Sequence, residues 1–255
     1  MNNIIEAKKI SKEYVISKEN IHQVLKGIDL TIQHGEFVSV MGASGSGKTT
    51  LLYNLSGMDK LTSGNITFCG EMISNMSEEE LSKIRLKKMG FIFQQSNLLK
   101  NLNIFDNIVL SAYLRKEESR QIINERAKIL MEKTNISEIK DKDITQVSGG
   151  QLQRAAICRA LINTPEILFG DEPTGALNSK VTNEVMNILL DINNSGTTIM
   201  LVTHDAKVAA KTERVVFMSD GVIIGEIILG KFNEYNNNLK ERENKLTNWL
   251  LELGF

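Results

Sequence analysis

The eight residues Gly42-Ala43-Ser44-Gly45-Ser46-Gly47-Lys48-Thr49 constrain this chain more than any other stretch, because they fit G-x-x-x-x-G-K-[ST] between a strand and a helix. Glu36 to Met41 reads as a buried strand, and Thr50 to Ser56 as a helix that stops at Gly57. A strand end joined by glycines to a helix N-terminus is a phosphate cradle. The glycines let successive N–H groups turn inward with no Cβ in the way, and the helix dipole favours negative charge at the same point. Lys48 is placed to reach β- and γ-phosphates and the Thr49 hydroxyl to hold Mg²⁺, with Thr50 extending the cradle into the helix. A Gly/Ser-rich turn that matched by accident would arise on the order of 1% of the time in a chain of this length.

The 255 residues, 42% of them hydrophobic, suffice for one large domain or two joined ones. A formal net charge of -1 provides no global basic field, so nucleic acid is not expected as a partner. Cys69 and Cys158 stand far apart in no metal or redox spacing and read as plain thiols. The start, Met1 to Glu6, lacks the basic and apolar regions of a signal peptide, and Ile199 to Val202 and Ile227 to Leu229 are too short to span a bilayer. The expected location is the cytoplasm, or its membrane face if a partner holds the chain there.

From residue 4 to 41, short apolar stretches alternate with turn residues, as in an antiparallel sheet feeding the core strand. Tyr14, in a polar part of this region, is an aromatic that could stack on a nucleotide base. Ser77-Glu78-Glu79-Glu80 is a capping box that opens a helix expected to end at Gly90, after which Phe91-Ile92-Phe93 delivers Gln94 into a loop. From about 97 to 160 the pattern is mainly helical: Ile104, Ile108 and Leu110 on one helix, then Ile122, Ile123, Ala127, Leu130 and Met131 on another that opens at Ser119. Strands and helices alternate again from residue 148 onward, with a hairpin at Asp220-Gly221, which predicts an α/β fold with a mostly parallel sheet. Asn236 to Asn238 reads as a linker to an amphipathic C-terminal helix within 231–255, whose Leu239, Leu246, Leu250 and Leu253 are expected to dock on the preceding domain, 1–230.

Ile167 to Gly170 is an apolar strand ending in Asp171 and Glu172. In a phosphate-loop fold the first carboxylate suits a hard cation wanting oxygen ligands, and the second suits a general base that polarises an attacking water. Ser148-Gly149-Gly150-Gln151 forms a second anion-binding concavity at a helix start. One ATP cannot sit between two such helix ends in distant parts of one subunit. The economical arrangement is a dimer in which each Ser148 loop closes over the other subunit's nucleotide.

With these residues in view the chain resembles the ATPase subunits of ATP-binding-cassette (ABC) transporters over nearly its whole length. Ser148 to Gln151 is similar to the family's signature motif, Gln94 to its Q-loop glutamine and Mg²⁺ ligand, Asp171 and Glu172 to its magnesium-binding Asp and its base. His204 matches the family's γ-phosphate-sensing histidine, Tyr14 its adenine-stacking aromatic, and Gly175-Ala176-Leu177-Asn178 its D-loop. Within the family, residues 35–52, 90–94 and 171–177 are similar to ATPases of bacitracin-type peptide efflux, lipoprotein release and macrolide export. Asn178 departs from the usual Asp, which implies weaker ordering across the dimer.

The resemblance implies an enzyme that hydrolyses ATP with Mg²⁺, works as a homodimer and drives a separate membrane permease, engaged through the helical segment after Gln94. Peptide resistance or lipid-related efflux is the implied role. A regulatory ATPase acting on a membrane sensor is the alternative. A soluble kinase would need an acceptor site in place of Ser148 to Gln151, and a repair ATPase would need long heptad arms, which the chain lacks.

Overall fold

A computed structural model describes residues 3–17, 20–232 and 238–254. Met1 and Asn2 of the start, and Asn236 and Asn237 of the linker reading, lie outside the described residues. The chain forms two compact units, residues 1–81 with 198–255, and residues 82–197.

The first unit opens with two long strands, β1 (Asn3–Ser17) and β2 (Asn20–Gln33), in place of the several short ones the apolar pattern suggests. Register shifts between Ala7 and Ser11 interrupt their antiparallel pairing, which is why the apolar pattern breaks there although the strands continue. β3 (Phe37–Met41), wholly buried, feeds the glycine loop and α1 (Lys48–Leu55). β4 (Ser63–Phe68) and β5 (Glu71–Met72) complete an antiparallel sheet in the order β2-β1-β4-β5. α2 (Glu78–Lys88) starts as predicted: Ser77 N donates to Glu80 Oε2 at 2.8 Å, and Glu80 N donates back to Ser77 Oγ at 3.3 Å.

In the second unit β6 (Met89–Phe93) follows α2 directly. Gly90 is therefore a strand residue and not a helix stop. A Cβ there would stand 2.5 Å from Ala160 O, so the glycine permits a close approach of backbone. α3 (Ile104–Arg115), α4 (Arg120–Lys133) and α5 (Gly149–Leu161) pack around Ile108, Val109, Ile123, Ala127, Met131, Ala155 and Cys158. The Ile, Val and Met side chains among them contribute about 1.5–3 kcal/mol each when buried. Ser119 caps α4 as expected, but Ile122 is exposed while Ile123 is buried. β7 (Ile167–Asp171) runs parallel to β6, and α6 (Ser179–Asn194) follows it.

Back in the first unit, β8 (Thr198–Val202) and β9 (Arg214–Ser219) flank β3, both parallel to it, and β10 (Val222–Ile228) turns back antiparallel on β9. A short helix, α7 (Ala206–Ala209), links β8 to β9. α8 (Leu239–Glu252) buries Leu246 and Leu250 against β9 residues Val215 and Phe217.

Candidate functional site

In the first unit two neighbouring parallel strands end at predicted site residues. Val40 of β3 lies opposite Val202 of β8, and Thr203 N donates to Val40 O at 3.1 Å. The glycine loop thus leaves β3 at Gly42, and His204 leaves β8, on the same sheet edge, where α/β sheets hold ligands. A side chain cannot exist at the loop's entry, since a Cβ on Gly42 would stand 2.1 Å from Met218 O. Lys48, 7% exposed, donates from Nζ to Gly42 O at 2.9 Å and Ala43 O at 2.8 Å, drawing the loop into an arc.

The loop rests on the β9–β10 hairpin. Asp220 and Gly221 take φ +47° and +80°, positive at both central positions as a type I′ turn requires. Gly221 N then donates to Ser46 O at 3.2 Å, while a Cβ on Gly221 would meet Val24 O at 2.3 Å. The Asp-Gly turn is visible in the sequence; its support of the loop is not.

The cradle fits a nucleotide's phosphates. Ser46 Oγ is buried without a hydrogen-bond partner, and α1 begins at Gly47 (φ +96°) with no side chain capping its first N–H groups. A partnerless hydroxyl, a helix start without a side-chain cap and a buried ammonium together accept an anion. Tyr14 stands on β1 opposite His22, 41% exposed, with Lys12 Nζ 4.7 Å from its ring centroid.

In the second unit Phe93 of β6 pairs with Asp171 of β7, so Gln94 and Glu172 each stand one residue past the last pair. They converge on Gly175: a Cβ there would lie 3.1 Å from Gln94 Nε2 and 3.3 Å from Glu172 Oε2. Gly175 N donates to Glu172 O at 3.0 Å, closing a turn with Pro173 at its second position. Glu172 has φ +47°, a conformation that costs a non-glycine residue about 1–3 kcal/mol and clusters at working sites.

Ser148 and Gln151 form a reciprocal capping box at the start of α5: Ser148 N donates to Gln151 Oε1 at 2.9 Å, and Gln151 N to Ser148 Oγ at 3.3 Å. The two glycines between them differ. A Cβ on Gly150 would meet Val181 Cγ1 at 2.7 Å, whereas one on Gly149 would meet nothing within 4 Å. Gly150 serves packing against α6, and Gly149 is the open one. Asn178 caps α6, its Oδ1 accepting from Val181 N at 3.0 Å.

The sequence pattern does not signal what α5 does to the Gln94 segment. Gln153, 2% exposed, donates to Phe93 O at 3.0 Å, and Arg159 donates to Ser96 O at 2.8 Å and Asn97 O at 2.7 Å. The helix that begins at Ser148 therefore holds the backbone on both sides of Gln94. Arg154 pairs with Glu184 of α6.

Over residues 25–175 the sequence matches the ABC transporter family. The chain belongs to that family. It is 46% identical over 228 residues, 89% of each chain, to the bacitracin export ATP-binding protein BceA of Halalkalibacterium halodurans. It is 41% identical over 219 residues to the lipoprotein-releasing system ATP-binding protein LolD of Aquifex aeolicus, covering 84% of this chain and 97% of that one. The solved dimer of the ATP-binding cassette MJ0796 with ADP and Pi superposes with a TM-score of 0.83 at 37% identity, covering 89% of this chain and all of the other.

As a member of the ABC family the chain is an ATPase that binds ATP with Mg²⁺. Among the described residues no group of three His, Cys, Asp or Glu side chains gathers into a metal site. No described helix is long and apolar enough to cross a membrane.

Proposed function

We propose that two copies of this chain close around two Mg-ATP and drive a separate permease from the cytoplasmic face of the membrane, exporting peptide antibiotics or lipid-linked cargo. The observation that carries the reading is the convergence of Gln94 Nε2 and Glu172 Oε2 on Gly175, just past two paired strand ends, in a chain that also holds the Lys48 cradle. Bound ATP supplies the phosphoryl group that passes to water, and Mg²⁺ offsets its charge. Lys48 and the loop of Gly42, Ala43, Ser44, Gly45, Ser46 and Gly47 bind the phosphates, with Thr50 at the helix start and Tyr14 under the base. Thr49, Gln94 and Asp171 hold the cation. Glu172 Oε2 takes the proton from the attacking water, Gln94 orients that water, and His204 senses the γ-phosphate. Ser148, Gly149, Gly150, Gln151 and Asn178 complete the partner copy's site. The identity to the bacitracin exporter and the dimeric cassette structure support this arrangement.

Replacing the base tests it. Glu172→Gln keeps the side chain's shape and removes proton acceptance, a function worth about 10²- to 10⁴-fold. The variant should elute as a dimer with ATP and Mg²⁺ and turn over at least 100-fold more slowly, by the same figure. A monomer under those conditions, or turnover within about threefold of wild type, refutes the assignment. Reconstitution with the permease in vesicles separates transport from a purely regulatory role, since the latter stimulates ATPase activity and moves no cargo.

A further inference from the structure

We infer that α8 is a positioning element for His204 and that Arg242 is the residue through which it acts; this rests on the reading of His204 as the γ-phosphate sensor. The segment from His204 to β9 is short and tightly bonded. Asp205 N donates to Thr203 Oγ1 at 3.0 Å, Asp205 Oδ1 accepts from Lys207 N at 2.8 Å, and Ala209 N donates to Asp205 O at 3.0 Å. At its far end Thr212 Oγ1 bonds Ser39 Oγ at 2.9 Å and donates to Ala209 O at 2.8 Å. What α7 lacks is length. Lys211 N and Thr212 N hold Val208 O and Ala209 O at 3.1 and 2.9 Å, but a helix of four residues has no further turn to hold the carbonyls that follow.

Arg242 fills that role from the C-terminal helix. It is 6% exposed, and its guanidinium donates to four backbone carbonyls: Ala210 O at 2.7 Å from Nε, Leu229 O at 2.7 Å from Nη1, and Thr212 O at 2.8 Å and Gly230 O at 2.9 Å from Nη2. Two of those carbonyls end the α7 segment and two end β10. The negative end of α7's dipole faces a fixed cation, and a planar fork meets four acceptors at once, which a lysine cannot do. Phe232 lies 5.5 Å from the Arg242 guanidinium. The helix is seated independently of this residue by Leu246, Leu250 and the edge-on contact of Trp249 with Phe217, centroids 6.4 Å apart. Arg242 can therefore be changed without undocking α8, so its own role is separable.

The test compares the full-length chain with Arg242→Met, which keeps the bulk and loses every donor. Hydrogen exchange of amides 203–212 should accelerate about tenfold. The kcat for ATP should fall about tenfold while KM stays within about twofold, because the cradle at Lys48 is untouched. Arg242→Lys should fall between the two, and it carries the same readings if Arg242→Met does not fold. On a His204→Ala background Arg242→Met should lower kcat no further, as two changes acting through one group do not add. Unchanged exchange overturns the proposal; so does faster exchange with kcat unchanged, or an equal further loss on the His204→Ala background. If His204→Ala itself turns over like wild type, the sensor reading is what fails, and the exchange measurement alone then decides whether Arg242 fastens the segment.

Discussion

The Tyr14 hydroxyl donates to Asp59 Oδ2 across 2.6 Å, and Lys12 Nζ takes the carboxylate's other oxygen at 2.6 Å. Asp59 lies just beyond α1, so the aromatic expected to carry the base is pinned to the helix that begins at the phosphate loop. Burial, reinforced by the Asp59 hydrogen bond and charge, pushes the Tyr14 hydroxyl up to about 12. Burial alone would raise the Asp59 carboxyl, but Lys12 and Tyr14 outweigh it and hold the group below its ordinary value.

The first prediction follows from that triad. Asp59→Asn removes the charge that opposes tyrosinate, so the Tyr14 titration should move back toward its ordinary value of about 10. Because the folded pKa lies above the unfolded one, the neutral phenol's contribution to stability is whole below about pH 10 and is lost as pH rises toward 12. Tyrosinate absorbance, differenced against Tyr14→Phe, reads the shift. Nucleotide affinity should drop several-fold as the ring loses its anchor. A Tyr14 titration unmoved by the substitution would show that burial acts without Asp59.

Gly175 supplies a second prediction. Its backbone is outside the left-handed region, so alanine is conformationally acceptable, but the new methyl would press on Gln94 Nε2 at 3.1 Å and Glu172 Oε2 at 3.3 Å. Both are ends of flexible side chains and would yield by a few tenths of an ångström. Displacing the proposed base and its orienting amide in this way should lower kcat about tenfold or more. ATP affinity by calorimetry should stay within about twofold, since Lys48 and the glycine loop are unchanged. Wild-type turnover in Gly175→Ala would mean that the convergence has no catalytic use.

Asn178 needs two arms. Its N-cap bond to Val181 predicts that Asn178→Ala costs about 1 kcal/mol, a fall of roughly 2–4 °C in Tm for a chain of this size. Asn178→Asp keeps the acceptor and adds charge at the positive end of α6, a gain of about 0.3–1 kcal/mol. If the residue also reaches a partner copy, Asn178→Asp should raise basal ATPase activity several-fold, because charge-assisted hydrogen bonds are about twice as strong as neutral ones. A higher Tm with unchanged turnover would confine Asn178 to capping.

What the sequence made legible was local. The glycine loop, the Ser77 box and the Ser119 cap each complete their bonds within a few residues, so the pattern and the structure coincide. What the pattern does not carry is contact with remote backbone. Gly90 is small because Ala160 passes close by, Gly221 because it lies against Val24, and Arg242 meets Ala210 across 32 residues. None of these partners is signalled by spacing. The choice of Ile122 as a core residue fails by one position of phase, since Ile123 already completes the buried stripe with Ala127 and Met131. Asp171, Glu172 and Gln94 were legible as strand-end residues, but the convergence of Glu172 and Gln94 on Gly175 required the parallel register.

Asn54 illustrates a feature that no pattern flags, and it yields the last prediction. It sits on α1, 1% exposed, between the buried stretch Leu51-Leu52 and Leu55, and neither amide atom has a hydrogen-bond partner. A buried polar group left unpaired costs about 1–3 kcal/mol, whereas an apolar group of similar shape costs nothing of the kind. Asn54→Leu keeps the branching at Cγ and raises helix propensity, so the exchange should stabilise the chain by about 1–3 kcal/mol, or some 2–12 °C in Tm. ATP binding should not change, because Lys48 and the loop glycines, proposed to hold the phosphates, stand at the other end of the helix. Differential scanning calorimetry decides the matter. A lower Tm would mean that Asn54 holds a buried water, in which case the more conservative Asn54→Asp would also be destabilising, since a water fitted to an amide donor would then meet a buried charge.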